Sequence, residues 1–171
     1  RYFGTKRNLV ERVYEQVYVA RWSDEWARLL RDRSLPLKDR LTAFYRAYLA
    51  AIDQYEWIRV SLFSGMAGYD LTRRYVMTRV EGLLRIMVRE LKRLAPAGAL
   101  PSRSDALHEI VWHLHSTFIY YLIRKHVFGI PVIKDRDVFV SAVVDRFMAG
   151  LGTDAMTARP KGGKERLLPL H

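Results

Sequence analysis

Residues 104–128 read SDALHEIVWHLHSTFIYYLIRKHVF, and the spacing of their apolar side chains decides the fold. Those side chains recur at three- and four-residue steps, the period of a helix face. Ser104 predicts a cap at the start, and Gly129-Ile130-Pro131 supplies a left-handed stop followed by a breaker. On a helical wheel one apolar sector holds Val111, Trp112, His115, Phe118, Ile119, Leu122 and Ile123. A second sector holds Ile110, Leu114, Tyr121 and Phe128. A helix that is greasy on two sides cannot bury both against one small core. It needs full enclosure, a partner chain or a ligand cavity.

The neighbouring segments repeat the pattern. Residues 134–149 place Val140, Val143, Val144 and Phe147 on one side and Val138, Phe139 and Ala142 on another, and predict a helix ending at Gly150 and Gly152. Two adjacent helices of this kind are what a four-helix dimer interface asks of each subunit. Ile119, Ile123, Phe139, Val143, Val144 and Phe147 are therefore the candidate interface of a homodimer. Upstream, the stripe Leu41, Phe44, Tyr45, Tyr48, Leu49 and Ile52 predicts a helix over 37–54, and 57–66 a shorter one. Residues 71–95 predict a long helix with Val80, Leu83, Leu84, Met87 and Leu91 on one face and six arginines on the rest. Leu9, Val10, Val13, Tyr14, Val17 and Tyr18 predict a helix over 5–20, with Thr5 as its cap, and Trp22, Trp26, Leu29 and Leu30 suggest a short second stretch. No segment sustains the period-two alternation of a strand. The expected fold is all-α, one domain of about six helices, with a mobile basic tail over 153–171.

Composition narrows the function classes. A chain of 171 residues, half of them hydrophobic, is enough for one packed domain and excludes a disordered chain. Charged residues interrupt every apolar run before the ~18 residues of a membrane span. Arg1-Tyr2-Phe3-Gly4-Thr5-Lys6 is followed by no export signal, and the missing initiator Met suggests a start inside a longer protein. The absence of cysteine excludes disulfides and thiolate chemistry, and the cytoplasm is the default compartment. The net charge of +11 favours polyanionic partners, although the excess is spread over several segments.

Catalytic constellations are lacking. The His108–His113 step of five turns the second imidazole about 140° away from the first, which is wrong for a helical zinc pair. His108, His115 and His126 share a face but are spaced by about 10 and 16 Å, too far for one metal. Neutral histidines in a pocket wall or dimer seam fit better. Ser61, Ser64 and Ser116 lack a glycine-flanked elbow, and the carboxylates are interleaved with arginine. No enzyme, metal or cofactor is expected. The large flat side chains of the central helices instead suggest the lining of an apolar pocket. Its candidates are Trp57, Phe63, Met66, Tyr75, Met87, Trp112, His115, Phe118 and Tyr121.

The first residues, Arg1-Tyr2-Phe3-Gly4-Thr5-Lys6-Arg7-Asn8-Leu9, resemble the end of the helix-turn-helix segment of TetR/AcrR-family transcriptional regulators. The aromatic pair, the short polar turn, Lys6 and Leu9 follow the family's order. The resemblance implies that Tyr2 and Lys6 contact DNA phosphates, a role that suits a lysine at the first turn of a helix. It implies that 1–20 comprise the end of that segment and a connecting helix, and that 21–152 form an effector-binding domain dimerising through its last two helices. The implied protein is a ligand-responsive DNA-binding regulator, with repression the expected sense, answering to a small apolar effector and not to a membrane. Its operator would be engaged by an N-terminal head of which this sequence holds only the end. The alternative is a basic helical adaptor that meets acidic membranes or proteins with the arginine face of 73–93 and the tail.

Overall fold

The computed structural model describes residues 6–96, 98 and 100–157, with the side chains of 6, 7 and 152–157 outside the description. Tyr2 and Thr5 lie outside the described residues. Lys6 is the first residue of α1, and its side chain is among those not described.

Every regular element among the described residues is helical. The α-helices are α1 (Lys6–Val17), α2 (Glu25–Arg31), α3 (Leu37–Ile52), α4 (Tyr55–Met66), α5 (Leu71–Tyr75), α6 (Glu81–Leu94), α7 (Ser104–Leu122) and α8 (Arg136–Thr157). A π turn over Val76–Val80 joins α5 to α6, and a second over Ile123–Phe128 prolongs α7, so six rods reach twelve residues or more. A short 3-10 turn, Val19–Arg21, follows α1. None of these helices is long and apolar enough to cross a membrane.

Tertiary packing follows the sequence stripes. The inward face of α3 buries Leu41, Phe44, Tyr45, Tyr48, Leu49 and Ile52 completely, and α3 is flanked by α2 on one side and α8 on another. Leu83, Leu84 and Met87 of α6, and Leu107, Val111, Phe118 and Leu122 of α7, close the core around it. Gly129 ends the α7 rod with φ +65°, a left-handed conformation that a side chain would strain, as the Gly-Ile-Pro stop predicts.

Three local expectations are corrected. Ser104 is the first helical residue and not the cap; Arg103 takes that position, and the Ser104 hydroxyl accepts a hydrogen bond from Lys92 Nζ at 2.9 Å. The 71–95 segment is not one uninterrupted α-helix, because the π turn widens it beside a cavity. The last helix does not stop at Gly150 and Gly152 but runs to Thr157, so residues 153–157 are not tail. Glycine inside a helix costs only about 1 kcal/mol, and no proline follows before Pro160.

Two buried ionic clusters fasten the rods. Arg40 is wholly buried, and its Nη1 donates to the Leu30 carbonyl at 2.8 Å and to Glu90 Oε2 at 2.9 Å. Arg33 and Arg93 also donate to Glu90, at 2.7 and 3.1 Å. The hydrogen bond from Arg33 holds the Glu90 carboxyl down at about 2, against the contrary pull of burial and with help from Arg40 and Arg93. Asp53, at the end of α3, is gripped by Lys125 at 2.7 Å, His126 at 2.7 Å and Arg136 at 3.4 Å. Burial raises its pKa, but Lys125 and His126 outweigh that and hold it below the usual value.

Candidate functional site

A cavity of about 400 Å³ lies between α4, the α5–π segment and α7. Trp57, Ile58, Ser61 and Leu62 of α4 form one wall, and Thr72, Tyr75, Val76 and Val80 of α5 and its π turn another. The third comes from α7, with Trp112, His115, Ser116, Ile119 and Tyr120, continued by Ile123 of the second π turn. Tyr48 of α3 and Tyr18, the residue after α1, complete the lining. Its volume falls within the range of small-molecule sites, roughly 300–1,000 Å³.

The local sequence explains why space is left here. On α7 the residues Trp112, His115, Ser116 and Ile119, continued by Ile123 of the π turn, recur at helical spacing and form the stripe next to the one that enters the core. Both π turns border the cavity. A π turn carries an extra residue per turn and often marks a functional site. Large rings prop the walls apart, with Tyr18 and Tyr75 centred 4.7 Å from each other and Trp57 set edge-on to both.

The lining contains no Lys, Arg, Asp or Glu. Burial lowers the pKa of His115 to about 4, so the imidazole is neutral at pH 7. Burial also raises the pKa of Tyr48 and Tyr75. At one end the hydroxyls satisfy each other. Tyr18 donates to Ser61 Oγ at 2.8 Å, Ser61 donates to the Trp57 carbonyl at 2.7 Å, and Thr72 donates to the Ser61 carbonyl at 2.8 Å. Elsewhere two buried atoms of lining side chains have no hydrogen-bond partner in the protein, Trp57 Nε1 and His115 Nδ1, while the buried hydroxyls of Tyr48 and Tyr75 are within reach of each other.

Tyr18 ties this site to α1. Its hydroxyl also lies 3.0 Å from Thr72 Oγ1 on α5. Arg74 on the same helix makes a two-pronged pair with Glu11 of α1 at 3.0 and 3.1 Å and stacks its guanidinium 3.7 Å over the Tyr14 ring. A shift of α5 would therefore be felt directly by α1.

The structure brings four of the pocket candidates to the cavity: Trp57, Tyr75, Trp112 and His115. Phe63 and Met66 point outward, 64% and 82% exposed, beside a shallow depression with Arg59 and Val127. Met87 is inside the core, where its sulfur accepts from the Tyr45 hydroxyl at 3.7 Å. Phe118 is stacked on Tyr45 at 4.0 Å. Tyr121 is stacked on Phe139 at 4.5 Å and donates to the Ile133 carbonyl. Among the interface candidates, Ile119 and Ile123 face the cavity, and Val144 is fully buried by its own chain. Val143 and Phe147 border a groove between α7 and α8, while Phe139 is half-buried against Phe118 and Tyr121.

Sequence reasoning missed Tyr18, Tyr48, Ser61 and Thr72 as site residues. Tyr18 and Tyr48 stand in recognised apolar stripes, and their only distinguishing mark was a hydroxyl that must find a partner when buried. The chain matches no family model, no curated protein and no solved structure.

Proposed function

We propose that this chain is the effector-sensing and dimerising part of a ligand-responsive transcriptional regulator of the TetR/AcrR kind. The observation that carries the reading is the apolar cavity whose wall includes Tyr18, hydrogen-bonded to α4 and α5 at the foot of α1. The sequence before and within α1 resembles the passage from a DNA-reading helix to a connecting helix. A ligand that fits one arrangement of α5 better than another shifts α1 through Tyr18 and Arg74. Only such differential affinity moves the equilibrium between DNA-competent and released states. In this reading a largely apolar effector relieves repression.

Pairing through α7 and α8 belongs to the same reading. The groove between them, about 410 Å³, is lined by Ile110, Leu114, Ala142, Val143 and Phe147 together with His113, Thr117 and Arg146. A mostly apolar strip with a few polar residues is what an interface of two copies needs. The adaptor alternative would use the arginine face of 73–93, much of which is ion-paired within the chain. There Arg74 pairs with Glu11, Arg85 with Glu81 and Arg93 with Glu90, while Arg79 lies over the Trp22 ring.

Two measurements test the proposal. Sedimentation at micromolar concentration is expected to give a mass of two chains. Thermal melting with a panel of uncharged aromatic compounds is expected to rise for some of them. Single copies together with no stabilisation by any compound would sink it.

A further inference from the structure

The polar atoms around the cavity specify more than a greasy shape. Trp57 is 4% exposed and lines the cavity, and its indole N–H has no acceptor in the protein. An indole N–H can only donate, so the group that completes it must be an acceptor. Leaving such a donor unpaired costs on the order of 1–3 kcal/mol, which a ligand acceptor would return. His115 Nδ1 is the other buried atom of the lining without a partner in the protein. No side chain of opposite charge stands in the lining to compensate an ion. We propose that the cavity takes an uncharged, ring-bearing ligand with a carbonyl or ether oxygen that accepts the Trp57 indole N–H.

This rests on the cavity being the effector site and adds the chemistry of the effector. The test uses two uncharged naphthalenes, 6-propionyl-2-dimethylaminonaphthalene and 2-dimethylaminonaphthalene, which differ by the ketone. The third probe is 1-anilinonaphthalene-8-sulfonate, which carries a charge. The ketone is expected to bind more tightly than its parent amine. Trp57→Phe should weaken the ketone by about tenfold and leave the parent amine within about twofold. A readout on the unaltered protein guards against a misfolded variant: the bound ketone's C=O stretch should lie below its frequency in cyclohexane.

Equal weakening of both naphthalenes, or a C=O stretch unchanged from cyclohexane, would overturn the acceptor role and leave the sensing cavity standing. Sulfonate binding as tight as the ketone's, abolished by filling the cavity with Ile119→Phe, would overturn the requirement for an uncharged ligand. Binding of none of the three would overturn both this inference and the sensor reading.

Discussion

The corner around Glu90 and the cavity beneath Tyr18 treat buried polarity in opposite ways. At Glu90, three guanidinium groups converge on one carboxylate, and wholly buried Arg40 also donates to the Leu30 carbonyl. That region joins α2, α3 and α6 through completed ionic hydrogen bonds. Around the cavity, charge is absent and two polar atoms, Trp57 Nε1 and His115 Nδ1, are left unpaired. The first arrangement fixes helices in one place. The second leaves room and hydrogen-bonding capacity for something else, next to the end of α1. The contrast teaches that polarity in this fold is divided between a scaffold and a site.

The strongest way to break the scaffold is to remove its anion. Glu90→Ala would leave Arg40 buried without a counter-charge, and the expected loss is about 3–5 kcal/mol in chemical denaturation. A loss under about 1 kcal/mol would mean that the Arg40 site opens to water, and the contrast would fail.

Acid titration separates the two regions by pH. The folded value of Glu90, about 2, lies below the ordinary 4.5, so its contribution is full above pH 4.5 and disappears as the pH falls towards 2. His115, held at about 4 against an ordinary 6.5, also favours the folded chain in its deprotonated form. Its contribution is present above pH 6.5 and is lost as the pH falls through 4. Stability measured from pH 6.5 to about 5, above the range where Glu90 titrates, should therefore slope downward on acidification in the parent protein and lie flatter in His115→Phe. The same slope in both would place the titrating group elsewhere.

Tyr18→Phe tests the link between site and α1. Loss of its hydroxyl contacts is expected to cost about 1 kcal/mol in folding stability. It should also reduce any change in α1 hydrogen exchange when the naphthyl ketone is added. An undiminished change would show that the Tyr18 hydroxyl does not carry the coupling.

The smallest effect is the sharpest comparison of packing. Ile119→Phe adds volume where the cavity can take it, and the melting curve is expected to shift by less than about 1 kcal/mol equivalent while probe uptake disappears. Leu84→Phe adds the same kind of bulk to the close-packed core and is expected to cost about 1–3 kcal/mol. Equal costs would mean that the cavity collapses in solution.

Much of this architecture is legible before folding. Leu41, Phe44, Tyr45, Tyr48, Leu49 and Ile52 announce α3, and the Gly129 stop is where the chain turns. Helical period and breaker chemistry are local properties, so a single sequence displays them. Even Arg40 carries a signal, because it shares the inward face of Leu37, Leu41 and Phe44.

What the sequence could not divide was the apolar surface itself. Phe63 and Trp57 look alike as aromatic residues on α4, yet one is exposed and the other is buried on the cavity wall. Ile119 and Val144 both suit an interface, yet one borders the cavity and the other is sealed in the core. The greasy stripes and the Gly129 stop were written in the order of residues, because they depend on neighbours a few positions away, whereas the π turns and the run of the last helix past Gly150 were not. Which stripe meets core, cavity or solvent was decided only when the rods packed, because that depends on side chains distant in the chain, such as Asp53 with Lys125 or Tyr18 with Thr72.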